Sequence, residues 1–328
     1  MSRGIFGGFW HKLAKPIIGL SPMDGVTDAA MRFITAKYGH PDVMFTEFVT
    51  AEGMAMIDKG RVKHPEMILK AFRYDEVERP IVGQIFGKDP DAFYVAAKKV
   101  MELGFDGVDI NMGCPSKSVT DNGAGAGLIE NQPLAQRIIE AVREAVEEKV
   151  PVSVKTRIGT SAPDQSWWEF LAGQSLAVVT MHGRTFKQLY QGLADWEALA
   201  VAAKIIRQNG TIFLGNGDAE SRIKAEGLSN KYGTDGVLIG RGAQGNPWVF
   251  DPNFQFPILN FKLKMQLAVE HARKYEELFP GESFLPMRKH LAWYARGFDG
   301  ASELRQKLVQ TNSADEVRQL IDYFRITL

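Results

Sequence analysis

The feature that most restricts how this chain can fold is a regular alternation of two patterns. Eight short, apolar, β-rich runs are separated by segments whose apolar residues recur at helical spacing. The runs lie at 16–20, 43–48, 81–86, 107–110, 151–156, 177–181, 211–214 and 236–239, with helical patterning at 27–38, 91–103, 133–147, 196–208 and 220–232. Runs so continuous in Val, Ile, Leu and Phe suit strands covered on both faces, as in a parallel sheet. Eight βα units in about 230 residues predict a closed α/β structure, the TIM (β/α)8 barrel, with a doubly wound sheet as the structural competitor.

Beyond about residue 253 the strand-like runs stop, and amphipathic stretches follow at 261–278, 287–296, 301–308 and 314–324. Pro247, Pro252 and Pro257 crowd the junction, where proline removes a backbone donor and discourages helix in the residue before it. The expected organisation is a catalytic barrel over 1–250 and a small helical C-terminal domain over 251–328. Residues 1–15 are basic and carry Phe6, Phe9 and Trp10, but have neither the apolar core nor the cleavage site of a secretory signal; they read as a lead-in. Every apolar run is broken by charge, Gly or Pro well short of a membrane span, so a soluble protein is expected.

Charge narrows the partners. Lys+Arg and Asp+Glu both total 39, so no global field draws the chain to nucleic acid, and any such contact must come from a local patch. The single cysteine, Cys114, rules out an internal disulfide and a cysteine-rich metal site, and fits a reducing cytoplasm.

In a barrel the working residues stand where strands end and loops begin. The first run leads into Ser21-Pro22-Met23-Asp24, the third carries Gln84, and the fourth leads into Asn111-Met112-Gly113-Cys114-Pro115. The fifth ends on Lys155 and Arg157, and the sixth on His182-Gly183-Arg184. Cys114 lies between Gly and Pro in a turn after a strand, which places a thiol within reach of solvent and substrate; acid and nucleophile both remain open. The strand period is read as aiming Lys155, with Val152 and Val154, toward the barrel interior, where an ammonium needs an anionic or electron-rich partner. No second histidine or carboxylate stands at ligand spacing from His182, so no metal is expected there. The loops Gly215–Asp218 and Gly240–Gly242 follow the last two runs, where barrels often hold a phosphate on backbone N–H groups, with Arg241 as a charged clamp. The glycines of 123–127 do not sit directly between a strand and a helix, and so are not read as a dinucleotide motif.

Taken together, Ser-Pro-Met-Asp-Gly-Val-Thr-Asp at 21–28, Asn-Met-Gly-Cys-Pro-Ser at 111–116, Val-Lys-Thr-Arg at 154–157, His-Gly-Arg-Thr at 182–185, Asn-Gly-Asp at 216–218 and Gly-Arg-Gly-Ala at 240–243 resemble the tRNA-dihydrouridine synthase family. The resemblance spans nearly the whole chain, helical tail included. It implies an FMN barrel reduced by NADPH, which passes hydride to C6 of a uracil while a cysteine, here Cys114, delivers a proton to C5. It further implies that Pro22, Met23, Asp24 and Gln84 line the flavin and that Lys155 and His182 hydrogen-bond its ring system. Asn216, Gly217, Asp218, Gly240 and Arg241 would hold the phosphate end, and Asn111 and Arg184 would face the uracil. Ser21, often Ala in the family, and the Leu214-Gly215 pair depart from the commonest pattern.

The target base must be extracted from folded RNA, so affinity for the rest of the tRNA has to come from elsewhere. Between residues 284 and 307 five basic residues stand against two acidic ones, with His290, Trp293 and Tyr294 interleaved. Arg288, Lys289, His290 and Arg296 are therefore expected to dock RNA by phosphate contact and stacking. The tRNA-modifying monomer competes with two other readings, an FMN barrel acting on a free pyrimidine in the manner of a dihydroorotate dehydrogenase, and a tRNA-binding protein without chemistry.

Overall fold

The computed structural model describes residues 7–253 and 261–327. Among these, nine strands pair in parallel: β1 Ile17–Leu20, β2 Met44–Phe45, β3 Val49–Thr50, β4 Ile81–Phe86, β5 Gly107–Met112, β6 Val152–Arg157, β7 Val178–His182, β8 Ile212–Asn216 and β9 Gly236–Ile239. Their order is β1-β9-β8-β7-β6-β5-β4-β2, with β3 also on β4. The ring closes where Asp42 N donates to Ile18 O at 2.9 Å and Leu20 N to Val43 O at 3.0 Å. This is the expected barrel, and closure excludes the doubly wound sheet.

The second stave accounts for the extra strand. Phe45 stands opposite Val82 and Val49 opposite Ile85, so residues 46–48 face only 83–84. One additional residue in one strand is a bulge. Thr46 Oγ1 accepts the Gln84 N–H at 3.0 Å, which keeps that buried donor paired through the interruption.

Alternation along the strands divides the structure into layers. Val152, Val154, Val179 and Met181 pack outward against helical residues such as Ile138, Val142 and Leu171. Inside, Ile17, Val43, Phe45, Val82, Ile212 and Leu238 fill the N-terminal end of the barrel together with Trp10. Lys155 therefore does point inward, but in company with Ser153 and Arg157; Val152 and Val154 occupy the opposite face, because a period of two separates 155 from both. The lead-in is also more than a lead-in over its described part. The 3-10 turn Gly8–Lys12 presses Trp10, 1% exposed, against Phe45 at a ring separation of 6.2 Å and stops the barrel floor. Phe6 lies outside the described residues.

Helix starts follow their capping residues. Asp28, Asp89, Asn131, Asp164, Asp195 and Ser221 each accept a first-turn N–H, which sets the helices Ala29–Gly39, Pro90–Glu102, Gln132–Val146, Gln165–Ala172, Trp196–Ile206 and Arg222–Tyr232. Two helices that the periodicity does not reveal, Ala51–Asp58 and Gln165–Ala172, have eight residues each, about two turns and too few to show a repeat. After β9 the chain makes the 3-10 turns Arg241–Ala243 and Pro247–Phe250 where a long helix would complete the pattern.

Four helices, Phe261–Leu278, Leu285–Tyr294, Ala301–Leu308 and Ala314–Thr327, follow with a core of their own. That core also takes in Ala29, Ala30 and Ile34 of the first barrel helix, whose Met31 and Ala36 belong to the barrel core. One helix thus serves both cores. The junction proline Pro257 lies outside the described residues, and among the described residues no helix is long and apolar enough to cross a membrane.

Because Trp10 plugs the barrel floor, Trp10→Ala should destabilise the protein by ~3–5 kcal/mol, the usual cost of a large cavity in a core. Urea titration reads this as a lower midpoint, and an unchanged midpoint would contradict the plug.

Candidate active site

The C-terminal strand ends surround a cavity of about 790 Å³, within the size range of cofactor sites. From β1 it receives Ser21, Pro22, Met23 and Asp24, from the bulge Phe48, and from β5 Asn111, Gly113 and Cys114. Lys155 and Arg157 enter from β6 and His182 from β7. Asn216, Gly217 and Asp218 after β8 and Gly240, Arg241 and Gly242 after β9 complete the wall. Twelve of the residues singled out from the sequence as catalytic, cofactor-binding or base-facing are thereby brought to one chamber.

Cys114 is held from both sides. Its N–H donates to Asn111 Oδ1 at 2.9 Å, and its carbonyl accepts from Ala126 N at 3.1 Å. Gly125, at φ +56, packs so closely that a Cβ there would lie 2.8 Å from the Cys114 carbonyl oxygen. The glycine-rich run that is not a dinucleotide motif is therefore the bed of the cysteine loop. Spacing alone does not reveal that contact. Arg157 fixes the same loop by donating to Gly113 O at 2.8 Å, and its other nitrogen donates to Thr185 O and Leu189 O, both at 3.1 Å. The thiol is half-buried, and burial, the largest influence on it, pushes its pKa above the ordinary thiol value. It is protonated at neutral pH.

The neighbouring strand β6 brings cations beside the thiol. Lys155 is held by Asn216 Oδ1 at 3.4 Å, and burial, reinforced by Arg157, lowers its pKa to about 8. Such an ammonium has room for an anionic partner. His182 is pushed well below the usual imidazole range by burial and by the surrounding Lys155, Arg157, Arg184 and Arg241. It is neutral, and since Arg184 can only donate across the 3.2 Å contact to Nε2, the ring proton sits on Nδ1. Gly217, at φ +128, could not be another residue without strain, and an added Cβ would stand 2.6 Å from that of Ala194.

Two assignments, Arg184 and Gln84, are corrected by position. Arg184, 1% exposed, does not line the cavity; it grips Asp218 Oδ1 and Oδ2 at 2.8 and 2.9 Å and Gly192 O at 2.6 Å. It thus shapes the loop after β7 from behind. Asp218 in turn holds Arg241 at 3.2 Å, so its carboxylate aims the exposed arginine, a better partner for a phosphate than the carboxylate itself. Gln84, 0% exposed, lies beneath the cavity floor and is absent from its lining.

The basic segment of the helical tail is also reordered. His290 is 2% exposed and faces Asp28 and His271 at the junction with the barrel, so it cannot touch RNA. Arg288 spends its guanidinium on Thr311 O, Gln310 O and Asn312 Oδ1. Lys289 points at the β1 loop, where a Cβ on Gly25 would lie 3.4 Å from its Nζ, and Trp293 packs on Gly245. Arg296 is exposed. Lys289 and Trp293 thus stand beside Gly25 and Gly245, the chain neighbours of the cavity-lining Asp24 and Gln244.

Comparison with known proteins agrees with this geometry. The family model described as dihydrouridine synthase matches residues 19–327. The chain belongs to the dihydrouridine synthase family. It is 35% identical over 327 residues to the probable tRNA-dihydrouridine synthase 2 of Bacillus subtilis strain 168, covering 96% of each chain. It is also 35% identical over 328 residues to the probable tRNA-dihydrouridine synthase of Staphylococcus aureus strain COL, covering 96% of this chain and 95% of the relative. Among solved structures, 2-naphthoyl-CoA reductase superposes with a TM-score of 0.56 at 9% identity, over 71% of this chain and 49% of that one. Morphinone reductase in complex with tetrahydroNAD superposes with a TM-score of 0.50 at 14% identity, over 80% and 94%. These two share the barrel fold. As a dihydrouridine synthase the protein is an oxidoreductase that reduces uridine, and its lone thiol lines the chamber described here.

Alkylation by iodoacetamide reports Cys114 alone, since it is the only cysteine. Its rate should rise with pH with a midpoint above the ordinary thiol value of about 8.5. A midpoint at or below that value would contradict a thiol kept protonated by its surroundings.

Proposed function

We propose that the protein is an FMN-dependent tRNA-dihydrouridine synthase that uses NADPH, with Cys114 as the general acid. The observation that carries this reading is a thiol, half-buried and protonated, lining a cavity that also receives the buried Lys155 and Arg157 from the neighbouring strand. The donor set suits a phosphorylated flavin. Lys155 offers a buried ammonium with spare capacity, His182 an Nδ1–H, Pro22 and Met23 an apolar surface, and Gly217 and Gly240 with Arg241 a phosphate end. FMN, when bound and reduced, supplies the hydride.

The remaining steps belong to side chains. Reduction of the uracil C5=C6 bond leaves negative charge on the ring that a proton at C5 must quench, and the Cys114 S–H is positioned to supply it. A thiol needs no activation to act as an acid at neutral pH, whereas a nucleophile would need the thiolate that burial disfavours. Lys155 stabilises negative charge that develops in the cavity, most effectively because burial excludes water around it. Asn111, which lines the cavity beside Cys114, would bind the base. The names of the relatives motivate tRNA as the substrate, and Lys289, Trp293 and Arg296 would meet the nucleotides around the extruded uridine.

Cys114→Ala should retain FMN and its reduction by NADPH while dihydrouridine formation in unmodified tRNA falls at least about a hundredfold, the usual range for losing a general acid. An unchanged product yield would remove the acid role. Since Lys155 is cationic below pH about 8 and neutral above it, FMN affinity should weaken as pH rises through that value. Lys155→Met should weaken binding and abolish that dependence; a wild-type affinity flat from pH 7 to 9.5 would contradict the lysine's assignment.

A further inference from the structure

Where the helical tail meets the barrel, side chains from three helices converge. Asp28 caps the helix Ala29–Gly39, its Oδ1 accepting the Met31 N–H at 2.8 Å. His271 comes from the middle of the helix Phe261–Leu278, and His290 from Leu285–Tyr294. The two imidazole rings lie 4.8 Å apart at their centroids. A ring nitrogen from each and a carboxylate oxygen of Asp28 all lie within 4.8 Å of one another. His271 is 0% exposed, His290 2% and Asp28 8%.

The hydrogen bonds of the protein leave these groups unfinished. A buried polar atom is costly unless paired, yet Nε2 of both histidines has no hydrogen-bond partner. His271 Nδ1 is engaged with the Tyr294 hydroxyl at 2.9 Å, so Nε2 is the nitrogen of that ring left over. His290 Nε2 stands 3.8 Å from Asp28 Oδ2, too far for a hydrogen bond. Arg32, four residues from Asp28, spends its guanidinium on Glu78 at 2.7 Å, on Thr27 O at 2.7 Å and on Arg73 O. Burial pushes the His271 pKa down to about 3 and that of His290 well below the usual imidazole range, so both rings are neutral and each keeps one lone pair.

We propose that Asp28, His271 and His290 form a binding site for one divalent ion of the zinc class, which ties the helical tail to the barrel. Two imidazoles and a carboxylate suit Zn2+ and its transition-metal neighbours, whereas Mg2+ and Ca2+ prefer oxygen alone. Neutral histidines present their lone pairs with no proton to displace. His271 already has the outer partner that a metal-bound histidine commonly has, an oxygen on its second nitrogen. Ligands around a tetrahedral Zn2+ stand about 3.4 Å apart at bonds of about 2.1 Å, so the largest separation here must close by roughly 1.4 Å, within reach of side-chain rotation from three separate helices. Asp28 also ends the loop that begins with the cavity-lining Ser21, Pro22, Met23 and Asp24, so an ion at the junction anchors that loop to the tail. The inference is independent of the function proposed above.

The test is equilibrium titration of the full-length protein, first stripped of metal with EDTA, using Zn2+ against a chromogenic chelator and Co2+ by visible absorption. The ligands are buried, so each point is equilibrated for hours. One equivalent of Zn2+ should bind with a Kd tighter than about 10 µM and raise Tm by a few degrees at saturation. Bound Co2+ should show the d–d bands of a tetrahedral site without the near-ultraviolet band of a thiolate ligand, which separates this site from Cys114. Asp28→Asn keeps the helix cap through its side-chain oxygen but removes the anionic ligand; it and His290→Gln should each weaken Zn2+ at least about a hundredfold and lose the Tm shift. Weaker binding by wild type, a thiolate band, or affinity retained in Asp28→Asn would each overturn the proposal. Should His290→Gln fail to fold, Asp28→Asn decides alone.

Discussion

Everything at the cavity depends on closure of the parallel barrel. The bonds from Asp42 N to Ile18 O and from Leu20 N to Val43 O join the first stave to the second. Because all pairs are parallel, closure delivers every strand's C-terminal end to one rim. Lys155, His182, Asn216 and Cys114 come from separate stretches of sequence, and meet because each lies in the C-terminal half of a stave or just after one. Alternation then sorts the side chains, with aliphatic residues at the floor around Trp10 and polar residues near the mouth.

That polar half of the interior is unusual for a core, and its arrangement explains how it is tolerated. Buried polar groups are costly unless paired, and Ser153, Asp109, Gln84 and Asn111 pair one another in sequence up to the cysteine loop. Two buried arginines do similar work for the loop after β7. Arg157 and Arg184 donate to carbonyls of residues 185–192, with Arg184 neutralised by Asp218. The rim is thus braced partly from behind, by Arg184, Gln84, Asp109 and Ser153, and partly by Arg157 and Asn111, which also line the cavity.

Much of this was legible in the sequence. The eight runs predicted the eight staves, and the change of pattern near residue 253 predicted the helical tail, because periodicity is a property of local sequence. The residues that line the cavity were legible because strand ends in a barrel map onto one face. What could not be read was depth. Arg184, Gln84 and His290 carry the same letters whether they line a cavity or lie behind it, and only the tertiary neighbours Asp218, Asp109 and Asp28 reveal which. Sequence pattern does not show that Lys155 faces away from Val152 and Val154, because apolar residues pack both inside the barrel and against the helices, so an apolar neighbour does not mark the interior. The Trp10 plug was hidden for a related reason: an isolated aromatic has no periodicity.

Barrel closure, the braced rim and the protonated thiol together describe a chamber built to reduce a uridine presented by a folded RNA. The decisive experiment is to map dihydrouridine at nucleotide resolution in unmodified tRNA treated with the FMN-loaded protein and NADPH. New dihydrouridine is expected at discrete uridine positions, with free orotate left unreduced. Turnover of the free pyrimidine with tRNA left unmodified would contradict that role for the chamber.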